Sequence, residues 1–442
     1  MSDEKKKKMG LVGLCSMGIG YVIGSGVFTM LPSVIGLTGR SVCLSMLLGS
    51  VIALLSVIPS VFLSSVIDLD GGPYTQNLAL FPQVVAGVFG IIQMVAYLGY
   101  AAIGVGMANY TIQLVPGLGN MQKVVAMCWI ILFFLLGIKG ITLSAGIQNV
   151  MVVLLLIALG IYAFGGLPAV QPGFFTGGGF FSGGAKGFLM ATALLSMSSM
   201  GASAMINFTP VAENPKRNIP IAMIVSTLVV AILYFLIAVV TGGVIPVGEV
   251  AGQNLGVVAE TFLAKPLYLF FMIGGAMFAL GTTLNANISA IPYPWLAMAE
   301  DGWLPKVILK KDKKFGYPYV LMGIVFVIGA IFPVVFGLDI ATITSLFAFP
   351  SFIVWAIVAI AAFRIPKLYP QHWEQSNFHV PLPVFYLLTT LSFVANSFLS
   401  YSYIDFLDAK TLAAAVVVIG FLIVIGAYRF KTGKIKSAQM DK

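Results

Sequence analysis

Glycines and small hydroxyl residues cluster at two places where an apolar chain has least use for them. In Gly20-Tyr21-Val22-Ile23-Gly24-Ser25-Gly26-Val27-Phe28, three glycines fall within seven residues, near the centre of an apolar run from about Gly10 to Gly36. The run Ser196-Met197-Ser198-Ser199-Met200-Gly201-Ala202-Ser203 repeats the theme in a later apolar stretch. Both are weak at sustaining a helix. A broken helix exposes main-chain groups that can bind charge. The N–H groups after a break carry the positive end of a helix dipole and suit a carboxylate; carbonyls before it suit an ammonium. The N–H groups of Ser25, Gly26 and Val27 are therefore candidates for a carboxylate. Carbonyls at Tyr21, Val22 and Ile23, and around Met197, Ser198, Ser199, Met200 and Gly201, are candidates for an ammonium. A zwitterion would fit there without a charged side chain.

The elements that must position these groups follow from composition. The chain has 442 residues, 59% hydrophobic and 9% charged, with a mean hydropathy of +1.02. Soluble domains carry roughly 25% charged residues, so the chain reads as an all-helical integral membrane protein. Apolar runs long enough to span number twelve: 10–36, 41–66, 83–115, 121–143, 146–167, 187–208, 220–244, 266–298, 318–337, 341–363, 383–404 and 408–429. We call them segments one to twelve. Hydrocarbon tolerates non-helical backbone only where it is buried in protein or lines a cavity. Segments one and six are five apart, and a five-span unit crosses an odd number of times, so a second copy is inverted. Breaks at matching positions of inverted halves point to a midplane site of a secondary transporter. The plainer alternative is close helix packing at small residues.

The net charge of +9 invites a nucleic-acid reading, which its distribution refutes. With the N-terminus inside, nineteen of the 24 basic residues fall in cytoplasmic segments, among them Lys5–Lys8, Lys310–Lys314 and Lys431–Lys436. Only Arg40, Lys123, Lys186, Lys265 and Lys410 fall outside. That asymmetry is a topology signal and puts both termini in the cytoplasm. The basic start leads into a full-length span and does not read as a secretory leader. Cys15, Cys43 and Cys128 all lie in spans and read as small core residues, not as disulfides or metal ligands. His372 and His379 share a cytoplasmic loop and read as solvated. The loop Glu300–Pro318 is basic, with a short amphipathic helix expected around Leu304–Lys311. The glycine- and phenylalanine-rich connection Gly165–Gly187 reads as a cap over an outer vestibule.

With these residues in view, the chain resembles the amino acid–polyamine–organocation transporter superfamily over nearly its full length. Gly24-Ser25-Gly26-Val27-Phe28 is similar to that family's first-segment signature, and Gly71-Gly72-Pro73-Tyr74 to its glycine-glycine-x-tyrosine. Glu213-Asn214-Pro215-Lys216-Arg217-Asn218-Ile219-Pro220 resembles the loop after segment six, and Ala299-Glu300-Asp301-Gly302-Trp303-Leu304-Pro305 the one after segment eight. The resemblance implies a leucine-transporter-like fold: a five-helix repeat at 10–167, its inverted copy at 187–363, two further helices at 383–429, and tails at 1–9 and 430–442. It implies transport of amino acids or related amines, with no cofactor, in a cell membrane, as a monomer or homodimer. Small-molecule substrate and membrane lipid are the expected partners, with no nucleic acid among them.

All 15 acidic residues lie in tails, loops or span ends. Family members that exchange arginine, lysine or polyamines resemble one another in a segment-six glutamate, and the alignment of the following loop puts Ser203 there. A second charge would then sit in low dielectric without a partner, which disfavours cationic substrates. Many members for neutral amino acids carry a segment-five lysine where this chain has Leu155, which leaves the coupling open. An aromatic gate in segment six is replaced by Met197. Side-chain selectivity falls to segments three, six, eight and ten: Tyr97 and Tyr100; Thr283 and Asn287 on one face of segment eight, with Thr282, Asn285 and Ser289 on another; Phe347 and Phe349 as candidate gates. Helix–helix hydrogen bonding is the alternative role for these amides. An intramembrane enzyme would need a positioned acid, base or metal set, and none is present in the spans. The chain reads as an exchanger of small neutral amino acids, with ion-coupled symport, or carriage of an amine or another small zwitterion, as the alternatives.

Overall fold

The computed structural model describes residues 8–24, 26–138, 141–177, 179–335, 340–404, 409–432 and Ile435. Among them the chain is helical throughout; its only β-type pairing is an isolated parallel bridge between Met9 and Ala212. In hydrocarbon, helices satisfy each backbone group within one segment, which is why apolar runs of this composition adopt them. Eight helical stretches among the described residues are long and apolar enough to cross a membrane, the longest being Leu31–Val66 and Lys265–Glu300. Three shorter apolar helices accompany them, Gln83–Met94, Tyr319–Ile331 and Pro350–Ala362. Large apolar side chains remain exposed in one-sided rows. On segment five, Val150, Val153, Ile157 and Phe164 follow a helical spacing and face outward, as a lipid-facing stripe does.

Segment one is interrupted where its glycines lie. A helix Leu11–Val22 ends at Ile23, which leaves helical geometry (φ −78°, ψ 89°). A π-helical turn Gly26–Met30 follows, then the helix Leu31–Thr38. Segment six runs as Gly184–Ser198, breaks over 199–201, and continues as a 3-10 helix Ala202–Val211. Further interruptions carry no glycine-serine cluster in the sequence. Segment two changes direction between Val42–Ser56 and Ile58–Val66, where Pro59 removes a main-chain donor. Segment eight has a π-helical stretch Phe271–Met277 ahead of Phe278–Ala290.

The helix Leu11–Val22 of segment one sits against segments five, seven and eight, while the helix Gly184–Ser198 of segment six lies on segment two. At one end of the bundle the chain start is stapled to the exit of segment six: Met9 donates to the Val211 carbonyl at 2.7 Å, and Glu213 donates to the Met9 carbonyl at 2.9 Å. We refer to this end as the tail side. The basic loop holds a single 3-10 turn, Lys306–Leu309, with Lys306 and Val307 exposed, Ile308 buried and Leu309 half-buried. One expectation needs correction. Cys43 is buried, but Cys128 is exposed on its helix and is not a core residue; its position on an outer face requires only an apolar side chain.

Candidate functional site

The two breaks meet. Where segment one departs from the helix, Gly24 N–H turns back to the Val22 carbonyl at 3.0 Å. The hydroxyl of Thr283, on segment eight, lies 2.9 Å from the Gly20 carbonyl, 3.1 Å from that of Ile23 and 3.0 Å from that of Ala279. A single hydroxyl proton is thus shared among three carbonyls, two of them at the end of a helix that leaves its last acceptors without intrahelical partners. Gly24 is a glycine because a Cβ there would come 3.1 Å from that hydroxyl oxygen.

On segment six, Ser199 N–H donates to the Ser196 carbonyl at 3.0 Å and Met200 N–H to that of Met197 at 3.3 Å. Gly201 follows with φ 126°, in the region that favours glycine. A Cβ on Gly201 would stand 2.9 Å from the Tyr21 ring and 3.1 Å from the Tyr21 carbonyl. A Cβ on Gly26 would stand 2.6 Å from the Ser198 hydroxyl and 3.0 Å from its Cα. Glycine at both contact points lets the two interrupted backbones pass in van der Waals contact.

Beside this crossing lies a cavity of about 250 Å³, near the lower end of the roughly 300–1,000 Å³ usual for small-ligand pockets. Segment one contributes Tyr21, and segment six contributes Met197, Met200, Gly201, Ser203 and Ala204. Asn287 enters from segment eight, and Ser351, Phe352 and Trp355 from segment ten. Ser56 and Ser60 on segment two, Gln76 on the helix Pro73–Leu80, and Gln93 on segment three complete the polar lining. Among the described residues, no carboxylate, ammonium, guanidinium or imidazole lines it. Met9 and Val211 mark the tail side, and most of these residues lie in the half of their segment nearer to it. The cavity extends from the crossing toward that end.

The expected site residues divide by direction. Tyr21, Met197, Met200, Gly201, Ser203 and Asn287 line the cavity. Val22, Ile23 and Val27 are buried in the packing around the crossing, with Gly24 and Gly26 at its contact points. The carbonyls of Val22, Ile23 and Met197, expected to be open, each accept a hydrogen bond, because the chain and Thr283 turn back on the break. Ser198 reaches Met30 Sδ at 3.6 Å, and Ser199 pairs with Ser50 at 2.9 Å, so neither hydroxyl is among the lining groups. Thr283 ties segment one and is not a lining residue. Ser25 and the side chains of Tyr97, Phe347 and Phe349 lie outside the described residues. Tyr100 donates to the Val325 carbonyl at 2.7 Å and is fully buried. Leu155 is fully buried as well.

The other amide of segment eight acts between helices. Asn285 Nδ2 donates to Gln148 Oε1 at 2.7 Å and its Oδ1 accepts from Ser144 at 2.8 Å. Ser144 also lies 2.7 Å from the Ser289 hydroxyl. Gln148 Nε2 continues to the Thr282 carbonyl at 3.2 Å. Asn287 differs: it lines the cavity, and its buried Oδ1 has no hydrogen-bond partner among the described residues. Sequence reasoning missed Gln76, Gln93, Ser56, Ser60 and Trp355. Gln93 had a usable signal, as an amide inside an apolar run; Gln76 had none, because it follows a loop.

These features accord with what the chain is similar to. The family model for amino acid permeases matches residues 9–428. A methylthioribose transporter of Bacillus subtilis is 22% identical, over 86% of this chain and 85% of its own length. A branched-chain amino acid permease of the same organism is 25% identical, over 72% of this chain and 73% of its own. A vacuolar cationic amino acid transporter of Arabidopsis thaliana is 26% identical, over 69% of this chain and 51% of its own. The relatives thus differ in the substrates that their names give. The chain belongs to the amino acid permease family of the amino acid–polyamine–organocation superfamily.

Proposed function

We propose that this permease carries small neutral amino acids across the cell membrane by alternating access, as an exchanger. The observation that carries the reading is the cavity at the two breaks, whose polar groups are hydroxyls and amides with no fixed charge. A zwitterion brings one positive and one negative group, which main-chain dipoles at broken helices can meet. A third charge on the substrate would enter a low dielectric without a counter-ion. Ser203 lines this space in the position where cation exchangers of the superfamily resemble one another in a glutamate.

The charge asymmetry supports cytoplasmic termini, and with that orientation the cavity faces the cytoplasm. In this reading the first repeat spans 10–167 and its inverted copy 187–363. The two added helices are at 383–429, with cytoplasmic tails at 1–9 and 430–442. Exchange independent of ions is supported at Thr283. Its own hydroxyl donates among the carbonyls of Gly20, Ile23 and Ala279, which together offer fewer oxygens than hard cations usually take, and no carboxylate. The test is efflux from proteoliposomes preloaded with a labelled neutral amino acid. Efflux is expected to accelerate when unlabelled substrate is added outside and to ignore replacement of sodium by choline. Accumulation driven by a sodium or proton gradient alone, without counter-substrate, would make the protein a symporter.

A further inference from the structure

We propose that the tail-side end of the cavity is a separate subsite, formed by Ser60, Gln76 and Gln93, for an uncharged hydrogen-bonding group at the far end of the substrate. A carboxamide is the group it suits best. The inference rests on the amino acid reading above and refines it.

Gln76 and Gln93 are each only 6% exposed, and each is held from behind through one end of its amide. Gln76 Nε2 donates to Ser60 Oγ at 2.9 Å, and Gln93 Oε1 accepts from Asn77 Nδ2 at 2.8 Å. Asn77, fully buried, is thereby a positioning residue that holds Gln93 from behind. An amide has two acceptor lone pairs and two N–H donors. With one end engaged, Gln76 keeps its carbonyl oxygen and Gln93 its NH₂ group, and among the described residues no hydrogen bond takes either. The subsite therefore offers one strong acceptor and a pair of donors on side chains that line the cavity.

Complementarity selects the ligand. An ammonium has only donors and would oppose the Gln93 NH₂; a carboxylate has only acceptors and would oppose the Gln76 carbonyl. A hydrocarbon end would leave both amides desolvated without partners, which buried polar groups tolerate poorly. A carboxamide has one acceptor and two donors and answers both. The apolar wall between this end and the crossing, with Met197, Met200 and Trp355, suits the methylene chain that would link the two ends. Sites that hydrogen-bond a substrate group discriminate against analogues lacking it more strongly than apolar pockets discriminate by size.

L-glutamine and L-methionine separate the possibilities, being similar in length and differing in the far end. Ligand-induced thermal stabilisation of the purified permease is read as half-maximal concentrations for both, with L-alanine as a ligand too short to reach the subsite. Glutamine is expected to act at roughly a tenfold lower concentration than methionine, as one to two net hydrogen bonds would give. In Gln93→Met and Gln76→Met that ratio is expected to fall close to one, with an unchanged far-ultraviolet circular dichroism spectrum reporting an intact fold. Equal responses to glutamine and methionine in the parent, or a preference that survives both substitutions, would overturn the subsite while alanine binding leaves the amino acid reading standing. No stabilisation by any of the three would overturn the amino acid reading itself.

Discussion

Asn285 and Asn287 are two residues apart on one helix, both buried, and opposite in how completely they are hydrogen-bonded. Asn285 is satisfied at both amide ends by Ser144 and Gln148, and the same cluster reaches Thr282 and Ser289. Asn287 is 8% exposed, lines the cavity, and leaves its buried carbonyl oxygen without a partner. Residue type and depth do not distinguish them; completeness of hydrogen bonding does. A saturated polar cluster in a membrane protein holds helices together. An unsaturated one at a cavity wall keeps hydrogen-bonding capacity that no helix contact uses, and a buried polar atom without a partner is costly.

The contrast between the two amides depends on the crossing that holds the cavity open, and disrupting it gives the largest expected effect. Gly201→Ala imposes a side chain at φ 126° and drives a methyl to 2.9 Å from the Tyr21 ring. Gly26→Ala drives one to 3.0 Å from Ser198 Cα. Each is expected to abolish exchange in proteoliposomes, and Gly201→Ala also to cost about 1–3 kcal/mol of stability through backbone strain. Wild-type exchange by both variants would show that the backbones do not need to meet.

Breaking the saturated cluster should cost stability and spare recognition. Asn285→Ala leaves Gln148 Oε1 without its donor and takes one of two hydroxyl partners from Ser144, an expected loss of about 1–3 kcal/mol, read as a lowered melting temperature with substrate half-maximal concentrations unchanged. Asn287→Ala should do the reverse. Removing an amide that has no internal partner is expected to change the melting temperature little and to weaken substrate binding about tenfold, the equivalent of one hydrogen bond made on binding. If the two variants behave alike, hydrogen-bond completeness carries no functional information here.

The smallest effect lies outside the membrane, near the staple between the chain start and the segment-six exit. Burial raises the Asp70 carboxyl above its ordinary value, as does the neighbouring Asp68, against the opposing pull of Lys8. For an acid whose pKa is higher folded than unfolded, folding favours the protonated form. Its stabilising contribution is complete below the unfolded pKa and is lost as pH rises through the folded one. Asp70→Asn is therefore expected to raise the melting temperature slightly at neutral pH, with the difference shrinking as pH falls into the carboxylate range. A variant less stable than the parent at neutral pH would mean that attraction to Lys8 outweighs burial.

The breaks themselves were legible, because clustered glycine and serine in an apolar run have few structural uses. Which way their side chains point was not. Helical periodicity fails where the helix does, so Ser198 and Ser199 turn to Met30 and Ser50 while Ser203 reaches the cavity. Thr283 and Asn287, one turn apart, read as a single face. Yet Thr283 sits level with the end of the helix Leu11–Val22 and ties its carbonyls, and Asn287, one turn nearer the tail side, lines the cavity. Gln76 was invisible as a site residue because its place depends on how the helix Pro73–Leu80 folds back under the bundle. That packing is tertiary and leaves no local pattern.

Whether this cavity takes a neutral zwitterion is decided by thermal stabilisation of the purified permease with a panel of amino acids and amines. Neutral amino acids are expected to stabilise it at lower concentrations than arginine, lysine, putrescine or cadaverine, because Ser203 and the lining amides supply no counter-charge. One of those four cations emerging as the best ligand would overturn the neutral-substrate reading.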